Sequence, residues 1–174
     1  MKSHSKPKQI YELGTRYNFH TDLKEAKKVE EEIKDRVLSL PNVGDVLMNN
    51  DFKYDLSITF DDSTVINVEI KTDYRAKITG NVAIEYSSRN KDSGITTTQA
   101  DFYWIIIHEP DGTISDNLIS VYNLRKIIEE RKWFRKVNGG DYKSNSLCYL
   151  FKIDELKSHC VQLTKENLNE SLRH

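Results

Sequence analysis

The sequence predicts an α/β fold in which a central mixed β-sheet is flanked by helices. Three observations carry this expectation. Two runs of strict alternation flank an Asp-rich turn between residues 55 and 71, a continuous apolar run fills 102–107, and the stretch before Pro41 spaces its apolar residues by threes and fours. A hairpin with one charged face, a strand buried on both faces and an amphipathic helix are the parts of a layered α/β domain.

With 174 residues, 30% charged and 37% hydrophobic, the chain is polar, but its Ile, Val, Leu and nine Tyr are enough for a core. One domain is expected over residues 10–174, behind a basic tail at 1–9 that is expected to be disordered. The net charge of −1 excludes a globally basic polyanion binder, so attraction for phosphate has to come from local patches. No apolar run is long enough to cross a bilayer and the start MKSHSKPKQ lacks the apolar core of a secretory signal, so an intracellular, cytoplasmic protein with no membrane partner is expected. Cys148 and Cys160 have no metal-type spacing and are expected as free thiols.

Residues 10–20 read as a short helix or an irregular lead-in. Asp22 with Glu25 makes a capping box for a helix over 23–40 that stops at Pro41. Its apolar face is Leu23, Ala26, Ile33, Val37 and Leu40, and Glu30 interrupts the stripe where an apolar residue belongs. A lone carboxylate is costly to bury, so Glu30 either snorkels at the edge of the core or points into a polar pocket beneath the sheet.

After a linker at 42–50, Leu56, Ile58 and Phe60 form one apolar series and Ile66, Val68 and Ile70 the other, with Asp61-Asp62-Ser63 as the turn. A three-residue turn pairs Phe60 with Thr64 and sets Asp55 opposite Glu69, with Lys71 two positions further on the same face. Facing carboxylates repel, and Lys71 offsets only part of that charge. A hard divalent cation such as Mg²⁺ suits the pair, because it binds through one or two carboxylates plus water and substrate phosphate. The competing reading is a solvated hairpin face with an ordinary Glu/Lys pair.

Beyond a turn at Thr79-Gly80-Asn81, a strand at 82–87 carries Glu85 as a fourth acidic candidate. Residues 88–98 form a loop with Arg89 and Lys91 that leads into a helical turn near 96–100. The run 102–107 is a buried central strand, Glu109-Pro110-Asp111-Gly112 turns the chain, and 118–121 is a short strand. Leu124, Ile127 and Ile128 open an amphipathic helix that runs to Gly139-Gly140. Its polar side holds Arg125, Lys126, Arg131, Lys132, Arg135 and Lys136, with Trp133 and Phe134 interleaved. That side is either a solvated face or a phosphate-backbone contact. A last strand at 147–153 ends at Asp154, which caps a terminal helix or loop.

A helix with an inward Glu, a strand with Asp, a strand with Glu-x-Lys, and a small helix leading into a buried strand together resemble the PD-(D/E)XK nuclease superfamily, the restriction-endonuclease-like fold. The match spans roughly residues 22–107 and rests on Glu30, Asp55 and Glu69-Ile70-Lys71, with Tyr54 where the motif name has Pro. The stretch GNVAIEYSSRNKDSGITTTQADFYW is similar to phage-type and Holliday-junction-resolvase-like members, with Gln99 at a polar position of their second helix. The resemblance implies a restriction-endonuclease-like core and a metal-dependent DNA endonuclease with Mg²⁺, or Mn²⁺ as substitute. Asp55, Glu69 and the Ile70 carbonyl would hold the metal, Lys71 would orient the attacking water, and Glu30 would support the ligands or a second metal. Glu85 and Gln99 are secondary candidates, and Arg89 and Lys91 are expected phosphate contacts. DNA is the implied partner, and a homodimer suits the cutting of two strands. The alternative is a catalytically inactive nucleic-acid-binding domain that keeps the fold.

Overall fold

The computed structural model describes residues 19–49, 53–139 and 145–173. The tail at 1–9, residues 10–18 of the lead-in and Gly140 lie outside them. In chain order the elements are α1 (Phe19–Leu38), β1 (Val43–Met48), β2 (Leu56–Phe60), β3 (Val65–Asp73), α2 (Ala76–Thr79), β4 (Asn81–Ser88) and β5 (Lys91–Asp92). A 3₁₀ turn (Gly94–Thr96) follows, then β6 (Phe102–His108), β7 (Ile114–Ser120), α3 (Val121–Glu129), β8 (Arg135–Gly139), β9 (Ser146–Lys152), α4 (Ile153–Lys157), β10 (Val161–Gln162) and α5 (Leu168–Ser171).

The strands form a six-stranded sheet in the order β1-β2-β3-β6-β7-β10 and a four-stranded sheet in the order β5-β4-β9-β8. Among the described residues only β3 and β6 pair in parallel, so the central sheet is mixed, as expected for this α/β chain. The 102–107 run is its buried centre. Trp104 and Ile106 face one core cluster, and Tyr103, Ile105 and Ile107 face another.

Helices pack on both of these faces. Ile33 and Val37 of α1 and Leu168 of α5 pack on Leu56, Ile58, Val68 and Trp104. Each fully buried aliphatic side chain there contributes about 1.5–3 kcal/mol. Polar contacts fix the helix on the sheet: Asp116 of β7 accepts from the Trp104 indole (2.9 Å) and from Arg36 (3.1 Å). The opposite face is covered by the second sheet through Val82, Ile84 and Phe151, together with Leu124 and Ile127 of α3. The central sheet is thus flanked by helices, as expected, with a second sheet added on one face. The crossover from β3 to β6 carries strands of its own.

The hairpin has the expected register within its ladder, which ends at Leu56 and Val68; Asp55 turns its N–H to the Val68 carbonyl and does not pair with Glu69. Ser57 opposes Asn67 and Ile58 opposes Ile66, while Phe60 donates its N–H to the Thr64 carbonyl (2.9 Å). Ser63 closes the turn with φ 68°, in the left-handed region.

Several boundaries differ. Helix α1 begins at Phe19, so Asp22 lies inside it and is not the N-cap, and Ala26 is exposed rather than part of the buried stripe. The linker at 42–50 holds β1, an edge strand whose one buried residue is Val46, too few for an apolar alternation to show. The helical turn near 96–100 is a 3₁₀ turn ending at Thr96, and Gln99 follows it in irregular chain. Strand β7 starts at Ile114, and Val121 already belongs to α3.

The largest departure is at α3, which stops at Glu129 instead of running to Gly139-Gly140. Arg131 takes φ 58°, and its N–H reaches the Ile128 carbonyl (3.1 Å) while that of Lys132 reaches Ile127 (3.0 Å). This paired closure around a left-handed residue ends the helix. Arg135 and Lys136 accordingly sit on β8, paired with Leu150 and Tyr149. Asp154 is not a cap either: α4 starts at Ile153 behind Lys152, and the carboxylate lies in the first turn, where its charge suits the helix N-terminus.

Candidate active site

Asp55 enters β2 one residue before the hairpin ladder. Its N–H donates to the Val68 carbonyl (3.0 Å), and its Oδ2 accepts from the Ile70 N–H at 2.6 Å. The last paired residues of β2 and β3 are Leu56 and Val68, so the Asp55 carboxylate occupies the next rung. In a strand the N–H and C=O of one residue leave by the same edge, so the Ile70 carbonyl also emerges beyond the end of β2. Glu69 and Lys71, on either side of Ile70, lie beside Tyr103 and Ile105 of β6.

Asp55 and Glu69 open on a cleft of about 770 Å³ whose lining also includes Tyr54, Glu85, Arg89, Lys91, Ser93 and Thr98, while Lys71 and Glu30 are not part of that lining. Each wall is held by short-range contacts. The Glu85 Oε1 accepts from the Ser93 hydroxyl (2.7 Å), and Gly94 packs its backbone against that of Glu85. Arg89 and Asn90 form the tip of the β4–β5 hairpin with φ 51° and 60°, an uncommon conformation for side chains of this size. Thr98 is buried, its hydroxyl donating to the Lys53 carbonyl (3.1 Å) and also lying against the Glu69 carboxylate.

The loop that carries Thr98 is tied down from α3. The Arg125 guanidinium donates through Nε and Nη2 to the Ile95 carbonyl (3.2 and 3.1 Å) and through Nη2 to that of Thr98 (3.2 Å). A planar fork spanning two carbonyls fixes position better than a point charge does.

Charge in the cleft is unbalanced. Burial pushes the Glu69 carboxyl up to about 8, with Asp55 and Glu30 adding to the rise and Lys71 and Thr98 opposing it. Asp55 is raised by burial against the opposing Ile70 N–H and Lys71. Glu30 is raised by burial, then by Asp55 and Glu31, with Lys27 opposing. Glu30 is half-buried on α1, and its charge is felt at Glu69 as that of Asp55 is felt at Glu30. Burial and the Glu69 and Asp55 charges also hold the Tyr103 phenol in its protonated form.

Among the described residues no three or more His, Cys, Asp or Glu side chains are placed to hold a metal ion by themselves. The oxygens on offer are the Asp55 and Glu69 carboxylates, the charge of the first being felt at the second, and the Ile70 main-chain carbonyl beyond the end of the ladder. All are hard oxygens, and a Mg²⁺ ion that keeps several waters and takes substrate oxygens needs no more.

The other predicted residues divide. Glu85, Arg89 and Lys91 line the cleft, whereas the Gln99 side chain is exposed and the residue contributes its main-chain N–H to the Lys53 carbonyl (3.0 Å). Arg131 and Lys136 line a different cleft, and Lys132 and Arg135 are exposed near it on the turn and on β8. Thr98, Ser93, Arg125 and Tyr103 carry no sequence signal that marks them, since their roles depend on a loop and a cross-sheet neighbour. No family model, curated protein or solved structure matches the chain.

Proposed function

We propose that the protein is a Mg²⁺-dependent endodeoxyribonuclease with a PD-(D/E)XK site on a restriction-endonuclease-like core. The observation that carries the reading is the meeting of Asp55 and Glu69, from two strands, beside Lys71, with the Glu30 charge of α1 also felt at Glu69. The succession of α1, the β1-β2-β3 meander and a crossover to a parallel β6 supports it. So does the placing of Arg89 and Lys91 in the lining of the cleft, where phosphates would approach.

Asp55, Glu69 and the Ile70 carbonyl are the groups that would hold the metal, with Mn²⁺ as a substitute. A cation held there would supply Lewis-acid chemistry to the scissile phosphate and to the attacking water. Lys71 orients that water and offsets charge that develops on the phosphate oxygens. Arg89 and Lys91 position the backbone. Glu30 and Glu85 hold the polar surround of the ligands. Cleavage of both strands of a duplex or branched DNA is suited by a two-fold dimer.

The test is a panel of duplex, single-stranded and four-way DNA, with RNA as comparison, incubated with the protein in Mg²⁺ or Mn²⁺. Cleavage of at least one DNA substrate is expected, and Glu69→Ala and Lys71→Ala each abolish it while circular dichroism stays unchanged. Cleavage that persists in both variants overturns the site, and binding without cleavage on every substrate overturns the activity.

A further inference from the structure

We infer that the protein carries a second nucleic-acid site, a stacking platform for single-stranded nucleotides, where the turn after α3 meets β8 and β9. Three rings from three elements meet there. Tyr86 of β4 lies 4.4 Å from Tyr149 of β9, and Tyr149 lies 5.5 Å from Trp133 of the turn, each pair tilted by 34° and 42°. The Lys136 ammonium stands 5.0 Å from the Tyr149 centroid and 5.3 Å from those of Tyr86 and Trp133. Core packing accounts for the inner edges of these rings, which touch the apolar cluster beneath α3. It does not account for a lysine held over all three, nor for their remaining partly exposed.

The cleft beside them, about 500 Å³, is lined by Ile128, Glu129, Arg131, Trp133, Lys136 and Tyr149. That set is matched to a nucleotide group by group. The rings offer π-faces to a base, Arg131 and Lys136 offer charge to its phosphates, and the Glu129 carboxylate accepts from a base N–H. The Trp133 indole N–H is already committed to the Ile128 carbonyl (3.1 Å), so the ring is held in place and presents its face. Next to it on the turn Phe134 is 47% exposed, with the ammonium of Lys152, at the end of β9, 4.5 Å from its centroid. A duplex keeps its bases stacked inside and would use the cations without the rings. An acidic peptide would likewise leave the rings without purpose. The chain's net charge of −1 makes this local pairing of cations with rings the stronger sign of a polyanion with bases.

The platform is built apart from the carboxylate pair, so it is tested without cleavage. The full chain carrying Glu69→Gln is titrated in EDTA with a twelve-nucleotide oligo(dT) and, separately, with a duplex of the same length. The chain has two tryptophans and Trp104 is fully buried, so quenching of indole fluorescence reports Trp133. Oligo(dT) is expected to quench and to bind more tightly than the duplex. Phe134→Ala and Lys136→Ala, both at exposed positions, are each expected to weaken oligo(dT) about tenfold. Lys136→Ala is also expected to lower the slope of log affinity against log salt by about 0.7. Affinity unchanged in both variants, or lost instead on Arg89→Ala and Lys91→Ala, places the strand in the carboxylate cleft and overturns the platform while leaving the nuclease reading intact. Binding that follows Phe134 and Lys136, together with a wild-type chain that cleaves no substrate of the panel in Mg²⁺ or Mn²⁺, keeps the platform and overturns the nuclease.

Discussion

The Asp55 carboxylate accepts a 2.6 Å hydrogen bond from the main-chain N–H of Ile70, the residue that separates Glu69 from Lys71. One side chain therefore ends the hairpin ladder and sets the spacing of the charged groups. Asp55→Ala removes both services and is expected to cost about 1–3 kcal/mol, the penalty for an unpaired part-buried N–H. Asp55→Asn keeps an acceptor oxygen and relieves repulsion with Glu69 and Glu30, so its stability should equal or exceed that of the metal-free wild type while cleavage is lost. Urea unfolding of the two variants beside a cleavage assay separates the roles. Equal destabilisation by Asn and Ala would remove the hydrogen bond from the account.

Glu69 gives a pH signature. Its carboxyl is raised from 4.5 to about 8 in the fold, so the native state binds a proton that the unfolded chain releases between those values. The associated stability is complete below pH 4.5 and is lost as pH rises through 8. In EDTA the urea midpoint should fall between pH 5 and 8.5. Millimolar Mg²⁺ should flatten that fall by favouring the ionised pair, and Glu69→Gln should remove most of it. A slope that survives in the Gln variant assigns it to another group.

Gly94 separates steric from conformational cost. A Cβ at this position, φ 51°, would stand 2.3 Å from the Glu85 carbonyl oxygen, whereas one at Gly80, φ 64°, meets nothing within 4 Å. Gly80→Ala should cost about 1–2 kcal/mol from backbone strain alone. Gly94→Ala should cost about 2–4 kcal/mol and impair cleavage, because the Glu85 wall must shift. Thermal melts of the pair test this, and equal costs would mean that the close contact relaxes freely.

Arg125 acts through the loop, not on substrate. Arg125→Ala frees the Ile95 and Thr98 carbonyls and is expected to weaken Mn²⁺ binding, measured by calorimetry without DNA, by about tenfold. Arg125→Lys, with no fork to span two carbonyls, should recover only part. A lowered melting temperature with unchanged Mn²⁺ affinity would leave Arg125 a packing residue.

How much of this was readable in the chain varied with how local the cause was. The hairpin register followed from a three-residue turn and period-two alternation, and the central strand from a run too apolar for an edge. Glu30 could be singled out because it breaks a stripe, although its coupling to Asp55 depends on where α1 lies on the sheet. The end of α3 was hidden, because nothing in Arg131 announces a left-handed residue, and the basic run after it suits a helix face as well as it suits β8. β1 was hidden because an edge strand that buries one side chain leaves no pattern. The second sheet could not be foreseen, since β4 and β9 are brought together only by tertiary packing.

That second sheet sets an order of assembly. The carboxylate pair comes from two strands joined by a tight turn and can form as soon as both have been synthesised. The wall bearing Glu85 belongs to β4, whose partner β9 is made only after β6, β7 and α3. Closing so long a loop is slow and costs more entropy than closing a hairpin. A nascent chain that has reached β6 thus holds both carboxylates in an unwalled groove, and the enclosed cleft is among the last features to mature.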